Sequence, residues 1–245
     1  VFSVAVLLSH FVRRRGSLCF RRFHLSGALA VEICKRGVPE AVSQLTTPVT
    51  ALCYNLMLAN LAGDIGVSTF SVLSFICSLA NAILSGVAQG LQPLWGNCCG
   101  ERDTDGMHMY FRWGIRINAI LSVAIYGLLL FFTEPVIRIF NQDPELVQNA
   151  STALPLFSLS FIPMALNLIY TAFLYSTKHT LQADAISLSR GVVLKAAAIF
   201  CLPVLLGSDT IWLAPLAAEM LTLLLARMLF KTSNLTGRKI DKIIL

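Results

Sequence analysis

The sequence predicts an all-α integral membrane protein, in which a lobe of six transmembrane helices is preceded by the end of another helix. Hydrophobic residues make up 56% of the chain and charged residues only 13%, well below the ~25% that is usual in soluble domains. The apolar residues occur in long blocks, which short connections rich in Gly, Asp and Asn separate. A soluble fold would leave most of this apolar surface in water, whereas a bilayer covers it.

The apolar blocks divide the chain into a leading segment, a basic loop, the six-helix lobe and a tail. The leading block is shorter than the ~20 residues that cross a bilayer as a helix, so we interpret it as the end of a truncated transmembrane helix. The four segments are residues 1–12, 13–37, 38–230 and 231–245. The six predicted spans are 40–60, 67–92, 113–132, 147–176, 182–206 and 211–230.

In this arrangement the basic residues lie almost entirely on one side of the membrane. Of the 19 lysines and arginines, only Arg138 lies in a connection on the opposite side, and Arg190 and Lys195 lie within a span. Because short cytoplasmic loops are enriched in Lys and Arg, the chain is expected to be a multi-pass protein of the cell membrane with a cytoplasmic C-terminus.

The basic loop 13–37 is expected to carry a short amphipathic helix on the cytoplasmic surface. Ser26 is a suitable N-cap and Gly37 a suitable stop for this helix. The charges of the loop have two interpretations, an anchor that sets the topology or a site for lipid headgroups.

Polar residues recur at helical spacing inside the apolar spans. In the second span they follow steps of three and four residues and therefore share one face of a helix. That face packs against other helices through small residues, or it lines a water-filled cavity that contacts a solute. The stripe consists of Ser71, Ser74, Ser78, Asn81, Ser85, Gln89 and Gln92. The candidate cavity-lining residues of the whole lobe are Gln44, Thr47, Asn55, Asn81, Asn167 and Tyr170.

Two ionisable residues near the middle of adjacent predicted spans are expected to pair. Lys195 and Glu219 each lie about 15–17 Å along their helices from the turn at Gly207. An isolated charge at this depth is costly, so the register predicts a contact between them, as a structural clamp or as a proton relay. Arg190 and Asp184 lie nearer the end of the span, where snorkelling or interhelical hydrogen bonds account for them.

The chain carries no combination of residues that indicates catalysis or a cofactor. We find no nucleophile–base pair, phosphate-binding loop or metal-ligand spacing, so neither an enzyme nor a metal site is expected. The seven cysteines lack an extracellular spacing pattern and are expected to be free thiols. The positive charge follows the membrane topology, so no nucleic-acid partner is expected.

The stretch GVAQGLQPLWGNCCG at 86–100 resembles the signature of the eighth helix of MATE (multidrug and toxic compound extrusion) transporters. Further resemblances follow in family order, at 35–44, 139–150, 187–203 and 211–224, so that they cover essentially the whole chain. The residues that carry the signature are Gly86, Gln89, Gly90, Gln92, Pro93 and Gly96.

The resemblance implies that the chain is the C-terminal lobe of a two-lobe, 12-helix exporter, with the N-terminal lobe as its missing partner. Such transporters export amphipathic and cationic compounds by alternating access, driven by inward flow of Na⁺ or H⁺. One branch of the family has acidic residues in its seventh and tenth helices. Here the first region contains Gln44 and Thr47, and residues 147–176 contain no acidic residue. The site of the coupling ion is therefore expected in the missing lobe.

Two alternatives remain at this point. One is a lobe of a flippase for lipid-linked oligosaccharides from the same superfamily, whose cavity would be strongly cationic. The other is a fragment of a truncated gene that does not transport.

Overall fold

The computed structural model describes residues 27–177 and 179–232, and in these residues the regular structure is entirely helical. Residues up to Glu40 form a unit separate from Ala41–Leu245, and of that unit only the helical residues 27–40 are described. The helices are α1 (Gly27–Glu101), α2 (Thr104–Phe131), α3 (Thr133–Phe140), α4 (Pro144–Ser158), α5 (Phe161–Ser176), α6 (Thr180–Leu188), α7 (Leu194–Leu206) and α8 (Ala214–Thr232). A π-helical turn at Ser189–Val193 joins α6 to α7, and a 3₁₀ turn at Ser208–Leu213 joins α7 to α8.

Helix α1 turns back on itself at Gly63. This residue has φ 62° and ψ −153°, in the middle of otherwise helical backbone. The rings of Tyr54 and Phe70 stack with centroids 4.3 Å apart, although 16 residues of straight helix would separate them by about 24 Å. The residues before Gly63 (41–62, the first arm) and after it (64–101, the second arm) therefore form an antiparallel helical hairpin. Its turn lies in the predicted connection between the spans 40–60 and 67–92.

Within the described residues, four helical stretches are long and apolar enough to cross a membrane: Thr47–Glu101, Thr104–Phe131, Thr180–Leu206 and Ser208–Phe230. Helices α4 and α5 pass the same test together, with a bend of 42° between them. Because the first stretch contains the hairpin, these elements correspond to the six predicted spans. The chain is a multi-pass membrane protein whose large exposed apolar side chains, such as Phe131 and Val204, suit contact with lipid.

Several helix ends differ from those expected. The second arm continues through the 86–100 stretch to Glu101, so this stretch is helical throughout and does not enter a loop. Helix α2 begins at Thr104 because the Asp103 carboxylate caps it, accepting from the Gly106 N–H at 3.0 Å. The expected cap Ser26 lies outside the described residues, and helix α1, described from Gly27, continues through the expected stop at Gly37.

The bend between α4 and α5 follows from Pro163. Proline has no N–H to donate to the carbonyl of Leu159, and its ring crowds that carbonyl, so regular helix is interrupted just before it. At the break, the Phe157 carbonyl accepts from the Ser160 hydroxyl at 2.7 Å and from the Ser160 N–H at 3.2 Å. The predicted span 147–176 is therefore a broken helix.

Aromatic side chains join four helices near one end of the lobe. Phe111 of α2 stacks on Phe230 of α8 at 5.4 Å, and it meets Phe173 and Tyr170 of α5 edge to face at 5.0 and 5.4 Å. Trp95 of the second arm is fully buried against Phe173. Aromatic contacts of this kind add to the packing that holds membrane helices together.

A buried interhelical hydrogen bond connects α2 to α5, and its loss is expected to destabilise the lobe. Asn118 Nδ2 donates to the Ala165 carbonyl at 2.9 Å, and Asn118 is fully buried. We expect Asn118→Ala to lower the free energy of unfolding by about 0.6–2 kcal/mol, measured by thermal or detergent-induced unfolding. Ser122→Ala is the control, because the Ser122 hydroxyl bonds only within its own helix, to Ala119. Equal stability of Asn118→Ala and Ser122→Ala would show that the interhelical bond contributes nothing.

Candidate functional site

An open cavity of about 340 Å³ lies in the lobe, lined by residues of the two arms of α1, the α4–α5 bend, the π turn and α8. Its hydroxyl-bearing wall residues are Thr47, Thr50, Tyr54, Ser74, Ser78, Ser160 and Ser187. Its apolar wall includes Phe70, Phe157, Met164 and Pro215. The cavity thus combines apolar surface with a small number of polar groups, as small-molecule sites do.

Three ionised side chains meet at one side of the cavity. Glu219 Oε1 lies 3.8 Å from Lys195 Nζ and 3.8 Å from Arg190 Nε. Glu219 is 1% exposed, whereas Arg190 and Lys195 are partly open to the cavity. The contact between Lys195 and Glu219 is the one that the helix register predicts, but Arg190 is a second cation that the register does not predict.

The π turn explains how Arg190 reaches the same carboxylate as Lys195. In an α-helix, positions five residues apart point about 140° away from each other. Here the Leu194 N–H donates to the Ser189 carbonyl, and such a five-residue turn places positions five apart on one face. The Thr50 hydroxyl donates to the Gly191 carbonyl at 2.7 Å, which ties the turn to the first arm. Arg190 therefore points into the cavity and does not snorkel.

Asn167 completes the polar cluster from α5. Its Nδ2 donates to Glu219 Oε2 at 2.8 Å and to the Glu219 carbonyl at 2.9 Å. Asn167 is fully buried and does not line the cavity, so it orients the carboxylate from behind. Asp184, by contrast, accepts from the Tyr175 hydroxyl at 2.7 Å, an interhelical hydrogen bond as the sequence suggests.

The other candidate cavity residues fall in different places. Thr47 lines the cavity, whereas Asn55 is exposed and Asn81 is half-buried, and neither lines it. Tyr170 is buried among Phe111 and Phe230, because its position on α5 faces α2 and α8. The side chain of Gln44 lies outside the described residues. Of the polar stripe, Ser74 and Ser78 reach the cavity.

The signature residues lie on the second arm, beyond the cavity. Gly86, Gly90 and Gly96 are exposed, and a Cβ at any of them would meet no described atom within 4 Å. Gln89 and Pro93 are likewise exposed and Gln92 is half-buried, and none of them lines the cavity. This face of the second arm is open in the described lobe.

Sequence reasoning missed Arg190 and Tyr54 as cavity residues. Tyr54 is 2% exposed, and its hydroxyl has no hydrogen-bond partner among the described residues. The Gly191-Val192-Val193 run after Arg190 was the available signal, since glycine and β-branched residues weaken regular helix.

Comparison with known proteins assigns this lobe to a family. The MatE family model matches residues 39–201, which is more than half of the chain and includes the hairpin, the α4–α5 bend and the π turn. The chain belongs to the MatE family. Its members are transporters rather than enzymes, and the multidrug and toxic compound extrusion proteins that the signature resembles are this family.

Curated relatives and solved structures agree with MatE membership. The chain is 23% identical over 206 residues to the multidrug export protein MepA of Staphylococcus haemolyticus, and 24% identical over 203 residues to MepA of Staphylococcus saprophyticus. These alignments cover 83% and 82% of the chain but only 45% and 44% of the relatives. The MatE chain therefore spans about half the length of the curated relatives it matches.

The fold is that of solved MATE structures. A crystal structure of MATE in complex with MaL6 superposes with a TM-score of 0.81 at 18% identity, covering 94% of this chain and 55% of that one. An outward-facing multidrug resistance MATE transporter of the MOP superfamily superposes with a TM-score of 0.79 at 20% identity, with coverage of 94% and 55%. At these identities the likeness establishes the MatE fold alone.

Proposed function

We propose that the chain forms part of a multidrug efflux antiporter, which exports amphipathic compounds by alternating access in exchange for Na⁺ or H⁺. The observation that carries the proposal is the mixed polar and apolar cavity of about 340 Å³ inside a membrane lobe of the MatE family. The MepA relatives, which are named multidrug export proteins, support the same function.

The coupling ion is proposed to bind outside this cavity, in an N-terminal partner lobe. Glu219 is the one acidic residue in the cavity wall, and it already faces two cations and accepts from Asn167. A carboxylate that already faces two fixed positive charges is a poor site for Na⁺, because the ion would compete with them. Glu219 therefore acts as a structural clamp.

The distribution of basic residues and the open signature face support a membrane location, an orientation and a partner lobe. The protein lies in the cell membrane with its C-terminus in the cytoplasm, because the basic connections lie on one side. Its partners are the lipid bilayer, the N-terminal lobe and small amphipathic solutes. The open signature face of the second arm suits contact with such a lobe, since exposed small residues allow close helix packing.

The test is compound accumulation in bacteria that lack their own efflux pumps. Cells that express the natural open reading frame encoding these residues should accumulate less of several fluorescent amphipathic compounds than vector controls. Collapse of the Na⁺ or the H⁺ gradient should abolish the difference. Equal accumulation at verified membrane expression would contradict efflux. Translocation of labelled lipid-linked sugar without any change in compound accumulation would favour the flippase.

A further inference from the structure

We infer that the cavity contains a subsite for an anionic group, so that its solutes include amphipathic compounds with a carboxylate. The subsite is formed by Arg190 and Lys195, which both line the cavity. The inference rests on the proposed function in one respect, namely that the solute occupies this cavity. It departs from the cationic compounds that the family resemblance leads one to expect.

The described wall of the cavity carries a net positive charge. Arg190 and Lys195 carry two positive charges, and Glu219 is the one carboxylate that faces them. Lys195 and Arg190 share the same oxygen, Oε1, while Oε2 accepts from Asn167. The cluster therefore retains one uncompensated positive charge. In a membrane interior such a charge attracts an anion and repels a cation.

Arg190 and Lys195 also have hydrogen-bond donors that no described residue uses. Among the described residues, no hydrogen bond from the side chains of Arg190 or Lys195 reaches another residue, and both ion-pair distances are 3.8 Å. An arginine carries five N–H donors and a lysine three. Both side chains are partly exposed, at 22% and 24%, and both line the cavity. These N–H groups can therefore donate hydrogen bonds to a molecule that is bound in the cavity.

The apolar wall of the cavity determines which chemical groups suit the uncharged part of the ligand. Phe70 and Phe157 of the cavity wall provide aromatic surface, and Met164 provides a flexible side chain that adapts to different shapes. A volume of about 340 Å³ lies at the lower end of small-molecule sites, so one aromatic ring system with a short acidic arm suits it. Arginine binds a planar carboxylate through two parallel hydrogen bonds, which favours this group.

The experiment measures equilibrium binding of three matched probes to the purified natural gene product in phosphatidylcholine nanodiscs. The probes are 1-naphthylacetate, the neutral isostere 1-naphthylacetamide and the cation 2-(1-naphthyl)ethylammonium. We expect the acetate to bind at least about tenfold more tightly than the acetamide, because charge-assisted hydrogen bonds to Arg190 and Lys195 are formed only with the anion. The cation is expected to bind most weakly. Equal affinities for acetate and acetamide would overturn the inference.

Substitutions in the cluster should act in opposite directions. Arg190→Gln and Lys195→Gln are expected to bring the affinities for acetate and acetamide close together, while Arg190→Lys should keep the preference for acetate. Glu219→Gln removes the internal counter-ion and should strengthen acetate binding several-fold. Arg138→Gln is the matched control, since Arg138 pairs with Glu134 on the exposed helix α3, and it should change nothing. Weaker acetate binding in folded Glu219→Gln would contradict the charge argument.

A lipid headgroup phosphate shares the chemistry of a solute carboxylate. Repeating the titration in nanodiscs that contain phosphatidylglycerol distinguishes the two sources. Unchanged acetate affinity supports a solute subsite, whereas its loss would assign the subsite to a lipid and overturn the inference. Because binding is measured without transport, acetate-selective binding in a protein that exports nothing would refute the proposed function alone. Efflux without acetate preference would refute the anionic subsite alone.

Discussion

Replacing Glu219 with alanine is expected to reduce the stability of the lobe by about 3–5 kcal/mol, the largest single effect that the structure predicts. Among the described residues, the substitution removes the only acidic partner of Arg190 and Lys195 in the cavity wall. It also removes the side-chain acceptor of Asn167, which is fully buried. Two cations would then remain inside a membrane domain without a counter-ion, and desolvation makes that arrangement costly.

The measurement is the unfolding midpoint in detergent, followed by the loss of helical circular dichroism. The triple variant Glu219→Leu, Arg190→Met and Lys195→Met is the informative comparison. It removes all three charges at similar side-chain size, so it should be more stable than Glu219→Ala although it carries more substitutions. If the triple variant were less stable than Glu219→Ala, packing rather than uncompensated charge would explain the loss.

Replacing Gly63 with alanine is expected to destabilise the hairpin of α1 by about 1–3 kcal/mol. Gly63 has φ 62° and ψ −153°, a backbone region that residues with a Cβ rarely adopt. A Cβ at this position would meet no described atom within 4 Å, so the expected cost comes from backbone strain and not from a steric clash with neighbours. Without this turn the two arms could not stack Tyr54 on Phe70.

The control for Gly63 is Gly127→Ala, in the middle of α2. Gly127 has helical backbone, and a Cβ there would also meet no described atom within 4 Å. Alanine is the better helix former, so this variant should be as stable as the parent or more stable by up to about 1 kcal/mol. The same unfolding assay serves both variants. A Gly63→Ala protein as stable as Gly127→Ala would show that the turn tolerates a side chain.

Hydropathy and charge predict much of this architecture because both reflect the bilayer itself. The lipid requires apolar blocks of a certain length. The predicted spans 182–206 and 211–230 lie within the helical stretches found, and 113–132 does so except for its last residue. The turns at Gly63 and Gly207 are visible in sequence because a positive φ favours glycine, and both residues have one. The depth of Lys195 and Glu219 follows from counting residues along straight helices from the turn between them.

Helix ends were less predictable, because the glycines and the proline of the 86–100 stretch do not end a helix that its neighbours support. The second arm continues through Gly96 and ends only at Glu101, with Trp95 buried against Phe173. As an isolated peptide in water, the 86–100 stretch would lose its helical structure. In the lobe, its packing on α5 compensates for its weak intrinsic helix propensity. The local sequence of the 86–100 stretch does not indicate that it packs on α5.

The sequence by itself determined the membrane class, the reversals of the chain and the pairing of Lys195 with Glu219. Only the tertiary structure decided which polar residues share the cavity, because that depends on the rotation of each helix about its axis. One π turn rotates Arg190 onto the face of Lys195. Packing against α2 and α8 removes Tyr170 from the cavity, and the hairpin brings Tyr54 into it. Rotating a helix about its axis changes its local backbone free energy little. The rotation is therefore determined by contacts between residues that are far apart in sequence.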